Sequence, residues 1–378
     1  MVGQSHIEHQ LDARLRILNA SAKRSTVAID LETSNESCLI NLSNGEVIKS
    51  RYVIGADGAQ SFVRKHFKVP FEVTRPGISW AVIDGVIESD FPKVPEIIVF
   101  QTDTADVAWI PREDGIDRFY VRMDSKDYPL EEAIAKINRA MPPHSLKFKS
   151  IIWSSHFSVK ESVAETFRPH ERVFLAGDAC HIHSVNGGQG LNTGLADAFN
   201  LLWKINMVLN YGAPEKLLQS YEKERKPIAH QVIETSGTLV RSTKHSSHRS
   251  HAQDYVKHIK DRSGNITGMG IRYRDKGLEG SRIHDFYIND SSSKIRLYTL
   301  LDYTKFTLLV FADKKIEIKT PSYIVTVQIY TREKKQRFWS DKTPYPNQAV
   351  LVRPDSYIES FISLNRIDSY FRASSLTD

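Results

Sequence analysis

The chain has 378 residues, 40% of them hydrophobic and 25% charged, with a formal net charge of +6. That length allows two or three domains, and the composition is that of an ordinary globular chain. No apolar run reaches the roughly 18 residues of a membrane span and the N-terminus lacks a signal-peptide apolar core, so no membrane partner is expected. The modest positive charge reads as scattered surface lysines, and no nucleic-acid partner is expected from it. Cys38 and Cys180 lie far apart and form no CxxC or metal pattern, which makes a reduced, cytoplasmic setting the default.

Residues 5–18 read as a helix with Ile7, Leu11, Leu15 and Leu18 on one side. Strands follow near 25–32, 37–42 and 46–54, and Asn44-Gly45 is a hairpin signal. Residues 51–67, RYVIGADGAQSFVRKHF, give a strand at Tyr52 to Ile54, a turn at Gly55, Asp57 and Gly58, and a helix from Ser61 to Phe67. Runs at Ile78 to Val86, Glu96 to Gln101, Val107 to Arg112 and Arg118 to Met123 alternate with turns and predict an antiparallel sheet. Arg118 and Tyr120 are two apart, so both point to one face of their strand. A phenol hydroxyl beside a guanidinium can bind and polarise a phenolate; the same pair serves equally as an Arg–Tyr stack on a solvated face. Residues 129–141 predict a helix stopped by Pro142-Pro143, and Ile151 to Val159 a strand with Trp153 in the core.

Residues 172–210 hold the densest pattern. Arg172 to Ala176 read as a short buried strand ending at Gly177. A loop rich in His, Asn and Gly runs from Cys180 to Gly190. A helix follows, with Leu191, Leu195, Ala198, Phe199, Leu202, Ile205 and Leu209 on one face. A strand, a glycine loop and a helix start can present free backbone N–H groups to an anion, and a carboxylate at Asp178 can accept hydrogen bonds from sugar hydroxyls. The same spacing also fits a plain strand–helix junction with a tight turn. His181 and His183 lack a third ligand nearby, and His245, His248 and His251 lack a carboxylate or cysteine to complete a site, so no metal is expected.

Residues 213–240 give a further helix containing Pro227. Three glycines between Ser263 and Tyr273 mark a boundary. Strands are predicted within 293–313, at Tyr323 to Tyr330 and at Ala349 to Pro354, with a turn at Asp355-Ser356 and helical spacing from Ile358 to Phe371.

The GADG–S–VR pattern around Asp57 and the GDA–H–H–GQGLN–G–DA–NL–WK pattern from Gly177 resemble the two signature motifs of the group A flavoprotein monooxygenases, the aromatic hydroxylases, and within them the phenol 2-monooxygenase branch. WIPREDGIDRFYVRM resembles the sheet that lines their active site, and SG–GIRY their domain junction. The resemblance implies an α/β, PHBH-like fold. Its FAD-binding domain would take residues 1–70 and 161–262. An antiparallel substrate sheet would take 71–160, and a C-terminal thioredoxin-like domain 263–378. That last domain contains no cysteine and would serve packing and dimer contact. No strand–GxGxxG–helix unit occurs at the start, so the FAD domain is expected to be N-terminally incomplete.

The resemblance also implies the chemistry: NADPH reduces FAD, oxygen forms a flavin C4a-hydroperoxide, and one oxygen atom passes to a phenolic or other small aromatic substrate. Arg118 and Tyr120 fall on substrate-facing, catalytic positions. Gln4, Asp57, Gly58, Arg112, Asp178, Gly188, Gly190, Leu191 and Asn192 fall on positions that meet the flavin cofactor. Val185 stands where the family has Pro beside the reactive flavin edge. A homodimer is implied as well. Two other readings stay open. One is a truncated, non-catalytic paralogue or fragment that acts as an interaction module. The other is a hydroxylase of a polyketide or other non-phenol substrate.

Overall fold

The computed structural model describes residues 2–102, 106–125, 127–183, 189–242, 260, 263–274, 277–290, 293–330, 338–340 and 343–373. The chain divides into two compact units. The first is Met1–Glu165, Pro169–Asn186 and Ile233–Tyr255; the second is Thr166–Arg168, Gly187–Val232 and Val256–Asp378.

The first unit opens with α1 (Gln4–Ile17), which has no side-chain cap. Its apolar side is not a core face: Leu11, Leu15 and Leu18 are exposed, and no residue of the helix is buried. Strands β1 (Ala28–Thr33), β2 (Cys38–Leu42) and β3 (Val47–Ser50) form an antiparallel meander, closed between β2 and β3 by a turn with Gly45 at φ +84°. The strand expected over 46–54 is two strands, β3 and β4 (Val53–Gly55). β4 pairs in parallel with a strand more than a hundred residues later, which meander residues could not do. After β4 comes α2 (Phe62–His66), capped by the Ser61 hydroxyl, which accepts from the Arg64 N–H.

The six-stranded sheet is built on one long ribbon. β5 (Phe71–Ser89) pairs antiparallel with β9 (Leu146–Ala164). Between them in sequence lie β6 (Ile98–Gln101), β7 (Asp106–Pro111), β8 (Asp117–Met123) and α3 (Leu130–Ala140). Two further strands of this unit follow, β10 (Val173–Leu175), the parallel partner of β4, and β11 (His181–Ile182). The sheet order is β11-β9-β5-β8-β7-β6. Strand β8 alternates strictly: Asp117, Phe119, Val121 and Met123 are buried, while Arg118, Tyr120 and Arg122 are half-buried on the other face. The buried face packs Ala81, Ile83, Val107, Trp109, Phe119 and Val121 against Ala133, Ile137 and Ala140 of α3. Side chains of the opposite face are therefore the ones available to a ligand. Trp153, expected in the core, belongs to that opposite face and is 48% exposed. It sits opposite Asp84 in the register, and Asp84 sits opposite Arg118.

In the second unit, α4 (Gly190–Tyr211) ends at Gly212, whose φ of +71° closes the helix. Its orientation differs from the expected one. Leu191, Leu195, Phe199, Leu202 and Leu209 are exposed, whereas Asp197, Asn200, Leu201, Trp203, Lys204 and Met207 are buried. The reason is a polar network that the apolar spacing does not reveal. Lys204 Nζ donates to Asn200 and to Glu224 of α5 (Ser220–Ser242), both at 2.8 Å. Arg225 Nε donates to Asp197 at 2.7 Å, and Trp203 Nε1 to Asp355 at 3.1 Å. Arg353 donates to both Glu224 and Asp355. Four hydrogen-bonding side chains of α4, Asp197, Asn200, Trp203 and Lys204, outcompete the leucine stripe for the interior because each would be costly to leave unpaired there.

A seven-stranded mixed sheet completes this unit. Its strands are β12 (Tyr287–Asp290), β13 (Ser293–Arg296), β14 (Phe306–Ala312), β15 (Ile324–Tyr330), β16 (Phe338–Trp339), β17 (Gln348–Val352) and β18 (Ile358–Ser363). The order is β13-β12-β16-β15-β14-β17-β18, with β14 and β15 parallel. The helix expected over 358–371 is corrected: β18 is a strand, antiparallel to β17, and α6 (Ile367–Ala373) begins only after it. Ile358, Phe361 and Ile362 fit either period over so short a span. The turn at Ser356, φ +68°, folds the segment back onto β17 and decides it.

Candidate functional site

On the open face of the six-stranded sheet, Asp84 is the centre of a cluster of charges. Its Oδ1 accepts from Arg118 Nε at 2.6 Å, and its Oδ2 accepts from Arg118 Nη2 at 2.7 Å and from Arg112 Nη1 at 2.6 Å. The Asp84 side chain is only 6% exposed. Arg118 Nη1 donates to the Tyr120 hydroxyl at 3.5 Å, and the guanidinium carbon lies 5.7 Å from the centre of the Trp153 ring. The hydrogen bonds to Asp84 raise the Arg118 pKa further above its ordinary value, so its charge is fixed at every working pH.

Arg112 continues the chain of contacts. Its Nη2 donates to Glu113 at 2.5 Å, and both Glu113 oxygens accept the backbone N–H of Gly3, at 3.0 and 3.1 Å. The hydrogen bond from Arg112, with help from Gly3, holds the Glu113 carboxyl at about 2. Gly3 caps α1, so the start of that helix rests on a carboxylate supplied 110 positions later. A Cβ at Gly3 would lie 1.9 Å from Arg112 Nη2, so any larger residue would have to displace the Arg112 guanidinium. Gln4, the first residue of α1, follows directly and is exposed.

The two glycine motifs meet at the ends of β4 and β10. Leu175 pairs with Gly55, so both strands end side by side. Asp57 and Asp178 follow them, both exposed, at the carboxyl ends of adjacent parallel strands. Ligands of open parallel sheets bind outside such ends. Asp57 Oδ2 also accepts the Val63 N–H at 3.1 Å. Gly58 has φ +78°, and nothing lies within 4 Å of where its Cβ would be. Arg64 ties the two motifs together, and burial lowers its pKa while the Asp57 charge opposes that.

Of the residues expected at a site, Arg112, Arg118 and Tyr120 are joined in one cluster with Asp84, while Gln4 is exposed at the start of α1, next in sequence to the Gly3 that Glu113 holds. Asp57, Gly58 and Asp178 are gathered at the strand ends. Gly190, Leu191 and Asn192 form the first turn of α4 in the second unit, where intrahelical partners for their N–H groups are lacking by geometry. Gly188, Val185, His245, His248 and His251 lie outside the described residues. Asp84, Glu113 and Trp153 were not expected. Asp84 lies 34 positions from its partner Arg118, and only the strand register brings the two together.

Residues 1–236 match the family description "FAD binding domain", and residues 276–360 match "Aromatic-ring hydroxylase, C-terminal". A phenol 2-monooxygenase of Aspergillus fumigatus is 30% identical over 298 residues, covering 70% of this chain and 50% of that one. A flavin-dependent monooxygenase of Mycobacteroides abscessus is 30% identical over 382 residues, covering 95% of this chain and 74% of that one. Among solved structures, the OxyS anhydrotetracycline hydroxylase of Streptomyces rimosus superposes with a TM-score of 0.76 at 25% identity, over 97% of this chain and 77% of that one. The fold and both domains are thus those of flavin enzymes that act on aromatic rings, and the chain belongs to the FAD-dependent aromatic hydroxylases. It spans about half the length of the phenol 2-monooxygenase. Among the described residues no helix is long and apolar enough to cross a membrane.

The residues at the strand ends fit a flavin nucleotide. Two exposed carboxylates offer acceptors for hydroxyl groups, and Gly58 leaves open space where any other residue would put a side chain.

Proposed function

We propose that the chain takes part in the NADPH-dependent hydroxylation of a phenolic substrate on FAD. The observation that carries this reading is the Asp84–Arg118–Tyr120 cluster beside the exposed Trp153 ring, in a chain of this family. FAD, when bound, supplies the oxygen chemistry, and NADPH the electrons. The protein supplies binding, orientation and the exclusion of water.

By the family motifs they match, Asp57, Gly58, Asp178, Gly188, Gly190, Leu191 and Asn192 would meet FAD. Gln4 and Arg112 would border the flavin. Arg118 and Tyr120 would meet the substrate oxygen. A fixed guanidinium stabilises the phenolate over the phenol, and the phenolate is the form whose ring carbons are electron-rich enough to attack an electrophilic oxygen. Tyr120 can donate to the same oxygen, and Trp153 offers an apolar plate of the right shape for a ring. Residues 1–70 and 161–262 would serve FAD and residues 71–160 the substrate. Residues 263–378 would serve packing between subunits of a homodimer. Cys38 and Cys180, both buried and in no disulfide, suit a cytoplasmic setting.

The test is a flavin titration of the purified chain. Quenching of FAD fluorescence with a dissociation constant below about 1 μM, and a yellow protein with two visible bands, are expected. NADPH oxidation on addition of phenols should follow. A colourless chain that leaves FAD fluorescence unchanged removes the enzyme reading and leaves an interaction module.

A further inference from the structure

Asp84 is buried in the middle of the substrate face, yet nothing in the reaction proposed above uses it directly. We propose that Asp84 is the positioning residue of this wall: it locks the Arg118 guanidinium in the orientation that meets an ionised oxygen on an aromatic ring. The inference rests on the proposed function for the identity of the ligand, and on geometry alone for the locking.

The pairing is side-on. Arg118 Nε and Nη2 go to the two Asp84 oxygens, so the plane of the guanidinium is set by the plane of the carboxylate. That leaves Nη1, the nitrogen directed toward the Tyr120 hydroxyl, as the outward donor. Asp84 is itself held. Its Oδ2 also takes Arg112 Nη1, and Arg112 is pinned through Glu113 to the Gly3 N–H. The donor is therefore fixed to the backbone at both ends of the relay, through β5 and through the start of α1.

Stability alone gives little reason for such a cluster. A buried ion pair contributes about as much as well-packed apolar residues of the same volume, and often less. Two guanidiniums and two carboxylates also balance in charge. Asp84 as a mere counter-charge would weaken the pull on an anionic ligand, whereas Asp84 as a positioning residue would strengthen selection of one. The two roles thus predict opposite signs.

The experiment compares binding of 4-nitrophenolate and of nitrobenzene, its uncharged analogue, to the chain and its variants at a pH where the phenol is ionised. Asp84→Asn should weaken 4-nitrophenolate about tenfold and leave nitrobenzene unchanged. Arg118→Met should remove the preference, and the double variant, which buries no unpaired charge, should bind no worse than Arg118→Met alone. Tighter phenolate binding by Asp84→Asn would overturn the proposal in favour of a counter-charge. Equal losses for both ligands, or additive losses in the double variant, would overturn it in favour of a structural role. A second readout needs no ligand: hydrogen exchange of the Arg118 Nε–H in arginine-labelled protein, expected to speed up at least tenfold in Asp84→Asn by loss of a charge-assisted bond. An unchanged rate would overturn the proposal. A chain that binds neither aromatic ligand would remove the substrate reading, and the exchange rate would still decide the role of Asp84.

Discussion

Arg64 donates from Nη1 to the carbonyl oxygen of Ala179 at 2.8 Å, a bond across 115 positions that ties the turn after β4 to the turn after β10. Its Nη2 donates to Ala59 O at 2.7 Å, and its guanidinium carbon lies 3.8 Å from the centre of the Phe71 ring. One side chain thus fixes the spacing of the two Asp-bearing turns. Lysine cannot make both bonds from one planar group. Arg64→Met leaves two carbonyls without donors and Arg64→Lys leaves one. Arg64→Met should cost about 2–4 kcal/mol in urea unfolding, Arg64→Lys less, and both should weaken FAD in the fluorescence titration.

Helix α4 offers a test of its orientation. Leu195 and Leu202 are 45% and 50% exposed, whereas the neighbouring Leu201 is fully buried. Leu195→Gln and Leu202→Gln should each change stability by no more than about 0.5 kcal/mol. Leu201→Ala should cost about 2–5 kcal/mol. Denaturant midpoints of the three variants check the assignment; the reverse ranking would mean that the leucine stripe is the inner face.

These cases show which features could be read from the sequence. The turns at Gly45 and Gly58, the alternation along β8, the strand–turn–helix unit around Asp57 and the short buried strand before Asp178 depend on neighbours a few positions away, and the pattern of residue types reveals them; β11, which lies in the expected loop from Cys180, depends instead on its partner β9. The inner face of α4 depends on Glu224, Arg353 and Asp355, which arrive from elsewhere in the chain. A stripe of leucines has the spacing of a core face, and the polar alternative needs partners that spacing does not display. The same holds for Trp153 and Asp84, whose places are set by the β5–β9 and β5–β8 registers. β18 is not legible by period, because six residues cannot separate a period of 2 from one of 3.6.

Two glycines of the first motif should fail differently. Gly58 has open space where a Cβ would go, but a left-handed backbone, so Gly58→Ala should cost about 1–2 kcal/mol, the conformational penalty alone. A Cβ at Gly55 would lie 2.7 Å from the Val63 Cβ and 3.0 Å from Leu175 Cδ2. Gly55→Ala must therefore push α2 away from β4 and should cost about 1–3 kcal/mol through overpacking. Thermal unfolding gives both values. Near-UV circular dichroism should change for Gly55→Ala and stay unchanged for Gly58→Ala.

Glu224 makes the acid stability of the second unit predictable. Burial pushes its carboxyl up, but Arg353 and Lys204 outweigh that and hold it at about 2, from an ordinary value of 4.5. In the unfolded chain the group takes up its proton near 4.5, so at lower pH the unfolded state binds more protons than the folded one. The contribution of Glu224 is therefore complete above pH 4.5 and is lost as the pH falls from there to about 2. Its size is on the order of 3 kcal/mol. Glu224→Gln should remove that part of the pH slope while lowering stability at pH 7 by about 3–5 kcal/mol, because Lys204 and Arg353 stay buried without their partner. Urea midpoints of the two proteins measured from pH 7 down to about pH 2.5 should converge. Curves that stay parallel across that range would show that the Glu224 carboxyl titrates alike in the folded and unfolded chain, and that the ion pairs with Arg353 and Lys204 do not hold it.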